Sequence, residues 1–121
     1  MATILVVDDD DGIRLVMKAI LEQDGFTIVE AGDGESALEI ALADPPDLIF
    51  LDLMMPGIDG IEVLKRLRAD ERTAKVDIVV VSARGAEGRP DAMAAGADDY
   101  FEKPFSPLAL LQTVERRLGS A

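Results

Sequence analysis

Ile4-Leu5-Val6-Val7-Asp8-Asp9 is a run of four apolar, mostly β-branched residues closed at once by two acids. A short continuous apolar run of this kind reads as a strand covered on both faces, as in a parallel sheet. The pattern recurs at Leu48-Ile49-Phe50-Leu51-Asp52, and again where Tyr100-Phe101 leads into Lys103-Pro104. In an open α/β sheet the carboxyl ends of neighbouring strands converge on a crevice, so residues that close separate strands meet there. Carboxylates brought together repel, and a cation or proton uptake relieves them. A hard divalent ion with oxygen ligands, most simply Mg²⁺, suits such a crevice, with a nearby lysine as a second positive charge.

Working outward, helical and extended patterns alternate. Ile13, Val16, Met17, Ile20 and Leu21 form one stripe of an amphipathic helix that Gly25 can end. Thr27 to Ala31 reads as a second strand, and Asp33-Gly34 then caps a helix carrying Leu38, Ala41 and Leu42, which Pro45-Pro46 stops. After the third strand, Met55-Pro56-Gly57 opens a loop toward a helix with Ile61, Leu64 and Leu67. Ile78 to Val81 is a fourth strand. The segment from Arg84 to Ala97 contains Gly85, Gly88, Pro90 and Gly96, so a fourth helix of about two turns beginning near Pro90 is expected. A brief fifth strand centres on Tyr100-Phe101. Ser106 and Pro107 suit the N-cap and first position of a last helix, with Leu111, Val114 and Leu118 facing inward and Gly119 ending it. Five strands alternating with five helices predict a doubly wound, five-stranded parallel sheet, since each parallel crossover needs a helix.

Composition narrows the chemistry. The 121 residues fit a single domain over 1–121. No apolar run is long enough to span a membrane and no signal peptide is evident, which predicts a cytoplasmic protein. A net charge of −12, from 24 acidic and 12 basic residues, argues against direct binding to nucleic acid by this segment. Cysteine and histidine are both absent. Disulfides, thiol catalysis, a histidine base and any phosphohistidine carried by this chain are thereby excluded.

The ordered fragments resemble one family across essentially the whole chain, the CheY-like receiver domain of two-component response regulators. They are Leu5-Val6-Val7-Asp8-Asp9, Asp52 with Met55-Pro56-Gly57, Val80-Val81-Ser82-Ala83-Arg84, Gly96-Ala97-Asp98-Asp99-Tyr100, and Lys103-Pro104-Phe105. The resemblance implies the flavodoxin-like strand order 2-1-3-4-5. It makes Asp52 the phosphoacceptor, taking a phosphoryl group from a sensor histidine kinase or histidine phosphotransfer protein. Mg²⁺ would be held by Asp9, Asp52 and the backbone carbonyl of Met54, with Asp8 acting through metal-bound water. Lys103, set by a cis bond before Pro104, would pair with the phosphoryl group, and the Ser82 hydroxyl would hydrogen-bond it. Ser82 and Tyr100 would form a switch, the tyrosine turning inward to remodel the face of the fourth helix, fifth strand and fifth helix for an unknown output partner or effector domain.

Each residue also has a plainer reading. Asp8 to Asp11 is a run of four acids, and such runs are usually solvated, as is expected of Asp10 and Asp11. An EF-hand fails, because Gly12 at its sixth position would put Val7 first and Lys18 last. Met54 and Arg84 sit where this family tunes phosphoryl lifetime; methionine orients water poorly and the long arginine can shield the site, so slow self-dephosphorylation is expected. Thr113 and Glu115 replace bases that in winged-helix relatives pair across a dimer with acids such as Asp98 and Asp99. That argues against a dimer through this face and leaves a monomer open. An aspartate-nucleophile phosphatase would need an acid where Met54 stands. A flavin carrier would need a phosphate-cradling loop in place of the acidic one. A receiver-like interaction module that works without phosphorylation is the alternative, though none of the acidic, hydroxyl or lysine positions is missing.

Overall fold

The computed structural model describes residues 2–119; of the 1–121 span, Met1, Ser120 and Ala121 lie outside the described residues. Strands β1 (Thr3–Val7), β2 (Thr27–Ala31), β3 (Leu48–Asp52), β4 (Asp77–Ser82) and β5 (Asp99–Glu102) alternate with helices α1 (Asp11–Gln23), α2 (Gly34–Ala43), α3 (Gly60–Ala69), α4 (Arg89–Ala94) and α5 (Pro107–Leu118). All strand pairs are parallel, as the alternating pattern predicts, and the order is β2-β1-β3-β4-β5, as the resemblance implies. The chain leaves β1 toward β2 and returns to β3 on the other side. The crevice at the carboxyl ends of β1 and β3 is thus the topological switch point.

Two apolar layers hold the helices to the sheet. Leu5, Val7, Ile49, Leu51, Ile78 and Val80 point to one face and pack with residues of α2 and α3. Ile4, Val6, Leu48, Phe50, Val79 and Val81 point to the other, against Met17 and Leu21 of α1 and Leu110 and Val114 of α5. Alternation along each strand divides its side chains between the layers, which is why the central strands are apolar without a break. Truncating a fully buried member such as Ile49 to alanine would cost about 2–5 kcal/mol.

Helix starts follow local chemistry. The Asp10, Asp33, Asp59 and Ser106 side chains each accept a backbone N–H from the first turn of the helix that follows. Asp10, expected to be merely solvated, is therefore the N-cap of α1. Two stripe assignments and one helix boundary also change. Val16 is 54% exposed, because the sheet contacts only the narrower face bearing Met17 and Leu21. In α5 the inward residue is Leu110, one turn before Val114, while Leu111 is half-buried. Helical structure after β4 starts earlier than Pro90: a 3₁₀ turn over Gly85–Gly88 runs directly into α4.

Candidate functional site

The site begins with the register of the strands. Val7 lies opposite Leu51, so the next residue on β1's side, Asp8, and the last residue of β3, Asp52, close adjacent strands. Asp52 in turn lies opposite Val81, with Ser82 one residue beyond. Ser82 is opposite Glu102, immediately before Lys103, whose N–H donates to the Ser82 carbonyl at 2.9 Å. Four residues distant in sequence are thereby brought to one edge.

Asp8 and Asp52 are each 3% exposed, whereas Asp9 is open to solvent. One carboxylate oxygen from each of the three lies within 4.8 Å of the others. The Lys103 ammonium reaches in from β5 and donates to Asp8 Oδ2 at 2.7 Å and to Asp52 Oδ2 at 3.3 Å. The bond between Lys103 and Pro104 is cis. Backbone N–H groups satisfy the remaining oxygens: Asp10 N–H donates to Asp8 Oδ1 at 2.9 Å, and Met54 N–H to Asp52 Oδ1 at 3.1 Å.

Electrostatics follow from this enclosure. Burial raises the Asp52 carboxyl above the usual carboxylate value; the Met54 N–H opposes that, the Asp8 charge adds to it and Lys103 offsets it. For Lys103, burial disfavours the charged form, but the hydrogen bond to Asp8 and the charges of Asp52 and Asp8 outweigh it and raise its pKa. One ammonium among three carboxylates leaves the cluster short of positive charge. A small oxygen-seeking dication matches both the deficit and the donor set.

The other expected residues fall around this centre. Ser82 is fully buried and its Oγ accepts the Arg84 N–H at 3.1 Å. The Arg84 guanidinium turns to Asp91 of α4, at 3.1 Å. The Met54 side chain is 55% exposed beside Asp52. Tyr100, on the edge strand β5, is 5% exposed, and its hydroxyl donates to the Gly85 carbonyl at 2.7 Å. Asp98 is engaged by Arg68 of α3 at 2.7 Å, and Asp99 by Arg116 of α5 at 3.4 Å, so both acids are paired within the chain.

Two supporting residues escaped the sequence reading. Arg14 of α1 donates to the Asp8 carbonyl and to Asp11, and its Nε lies 3.2 Å from Glu30 of β2, pinning the acidic turn to its neighbours. Gly60 opens α3 against the end of β3: a Cβ there would lie 2.5 Å from the Asp52 carbonyl oxygen and 2.5 Å from Leu53 Cα. An arginine in an acidic turn and a glycine after a capping aspartate are each common, so neither carried a signal by itself.

A family model for the response regulator receiver domain matches residues 4–115. The phosphate regulon transcriptional regulatory protein PhoB of Pseudomonas aeruginosa is 42% identical over 121 residues, covering 97% of this chain and 53% of that protein. Transcriptional regulatory protein SrrA of Staphylococcus aureus is 42% identical over 116 residues, covering 95% of this chain and 47% of that one. The chain thus spans about half the length of these curated relatives. Among solved structures, chemotaxis protein CheY4 of Vibrio cholerae superposes with a TM-score of 0.91 at 33% identity, covering 98% of this chain and 99% of that one. The receiver domain of a Pseudomonas aeruginosa sensor histidine kinase, solved with a magnesium ion coordinated in its active site cleft, gives a TM-score of 0.91 at 30% identity, with 98% of each chain covered.

Proposed function

Because the chain belongs to the response regulator receiver family, we propose that Asp52 accepts a phosphoryl group from a phosphohistidine on a separate sensor kinase or phosphotransfer protein. The observation that carries this reading is the convergence of Asp8, Asp9, Asp52 and the Lys103 ammonium at one strand edge. The 121 residues contain no histidine, so the phosphohistidine that donates lies outside this segment.

An Asp52 carboxylate oxygen attacks phosphorus, the bond between phosphorus and the donor's imidazole nitrogen breaks, and the imidazole departs with the electron pair. Asp8, Asp9, Asp52 and the Met54 carbonyl would hold Mg²⁺, which when bound neutralises charge on the transferring oxygens. Lys103, already between Asp8 and Asp52, supplies a fixed positive charge for the same oxygens. The Ser82 hydroxyl, one residue past the position facing Asp52, reorients from its contact with the Arg84 N–H to bond a phosphoryl oxygen. Phosphorylation adds roughly 1.5 to 2 negative charges at one sheet edge and biases the face of α4, β5 and α5, which an output partner or effector segment reads. The same reading places the domain in the cytoplasm with its kinase.

Intact mass after incubation with Mg²⁺ and acetyl phosphate tests the proposal. One phosphoryl adduct is expected, lost in Asp52→Asn and in the presence of chelator. No adduct from either acetyl phosphate or a phosphohistidine donor, with metal binding retained, would turn the reading toward an interaction module that works without phosphorylation.

A further inference from the structure

We infer that Gly88 is the positioning residue for Tyr100: its missing side chain is the space into which the tyrosine hydroxyl fits, and position 88 thereby sets whether the output face carries its tyrosine inward or outward. The ring packs in the layer that includes Val80, Ala92 and Ala97. Its hydroxyl passes Gly88 to reach the Gly85 carbonyl at 2.7 Å. A Cβ at Gly88 would lie 2.3 Å from Tyr100 Oη and 3.1 Å from both Tyr100 Cζ and Arg84 Cβ. The first distance is a collision, and Arg84 Cβ crowds the same position.

The backbone does not ask for glycine here. Gly88 has φ −76° and ψ −18°, right-handed helical values that any L-residue adopts. In such a conformation alanine ordinarily stabilises by restricting the unfolded chain. The glycine is therefore explained by the neighbour it admits. Gly85 differs: its φ of 70° favours glycine on conformational grounds, and it supplies the carbonyl acceptor. Together the two glycines account for the composition of this short segment between β4 and α4. The link from residue 88 to signalling rests on the phosphoacceptor reading above; the seat itself does not.

The chain holds one tyrosine and no tryptophan, so tyrosine fluorescence reports on Tyr100 alone. Acrylamide quenching of the full chain is measured for the native sequence and for Gly88→Ala, with circular dichroism to establish folding. The expected result is a severalfold larger quenching constant in Gly88→Ala, as the ring turns outward. An unchanged constant in a folded Gly88→Ala protein would overturn the inference, since α4 would then have yielded in place of the ring. A thermal-denaturation cycle provides the second readout. Without the hydroxyl the collision is relieved, so the fall in Tm caused by Gly88→Ala should be smaller in a Tyr100→Phe background, and equal falls would overturn the inference. Phosphoryl uptake is read by mass on the same samples. A tyrosine that becomes accessible in Gly88→Ala, while the native chain takes no phosphoryl group from acetyl phosphate or a phosphohistidine donor, upholds the seat and defeats the phosphoacceptor reading.

Discussion

Replacing Lys103 with methionine keeps the length and apolar stem of the side chain while removing its charge. The Lys103 ammonium lies 2.7 Å from Asp8 Oδ2 and 3.3 Å from Asp52 Oδ2, and both aspartate side chains are 4% exposed. At an effective dielectric of about 20 these attractions come to roughly 6 and 5 kcal/mol. Desolvation of the three groups offsets much of this, and breaking a buried pair from one side typically costs about 3–5 kcal/mol. The lysine side chain is 16% exposed, so water at the crevice mouth screens part of the loss and the lower end, about 3 kcal/mol, is expected. Urea denaturation followed by circular dichroism measures it: with a slope of about 2 kcal/mol per molar, the midpoint falls by roughly 1.5 M while the slope is unchanged. Removing the ammonium leaves Asp8, Asp9 and Asp52 with no side-chain cation from the described residues among them. Mg²⁺ should then stabilise the variant more than the native protein, because a ligand that prefers the folded state adds stability with its affinity. The loss should also shrink as pH falls through the raised Asp52 value, since the protonated carboxyl needs less compensation. A destabilisation under about 1 kcal/mol, or a smaller Mg²⁺ effect in the variant, would refute this account of the cluster.

Further outcomes follow from the same geometry. Asp52→Asn should stabilise the metal-free protein at neutral pH. Burial raises this carboxyl in the folded state, so its contribution to stability is whole below the ordinary carboxylate value and lost as pH rises through the raised one; the advantage of Asn in urea melts should vanish at low pH, and no advantage at neutral pH would contradict the burial argument. Gly60→Ala drives a Cβ into the Asp52 carbonyl and the Leu53 backbone, so a stability loss of about 1–3 kcal/mol with weakened Mg²⁺ binding by calorimetry is expected. Asp10→Ala removes the acceptor for Gly12 and Ile13 N–H at the start of α1 and should cost about 1 kcal/mol in the same melts. Met54→Asn places an amide able to orient water beside Asp52 and should accelerate loss of the phosphoryl group, followed by mass after donor removal; an unchanged decay would show that the thioether has no part in protecting it.

Much of the fold was legible because its signals are local. Unbroken apolar strands such as Leu48 to Leu51 announce a sheet covered on both faces, and capping residues such as Asp33 and Ser106 mark helix starts within three residues of the N–H groups they bond. Strand-end acids then pointed to the crevice, since parallel strands deliver their carboxyl ends to one side. What the sequence did not disclose depends on distances between elements. That Val16 faces out while Met17 faces in depends on how narrowly α1 touches the sheet. That Asp98 belongs to Arg68, 30 residues away, depends on where the end of α3 comes to rest. Arg14 and Gly60 look ordinary in sequence and become parts of the site only when a guanidinium meets the Asp8 carbonyl and a helix start meets the Asp52 backbone. Gly88 is the sharpest case. Its dihedral angles would suit any residue, and only the tyrosine hydroxyl arriving from β5 forbids a side chain there, because two atoms cannot share one volume.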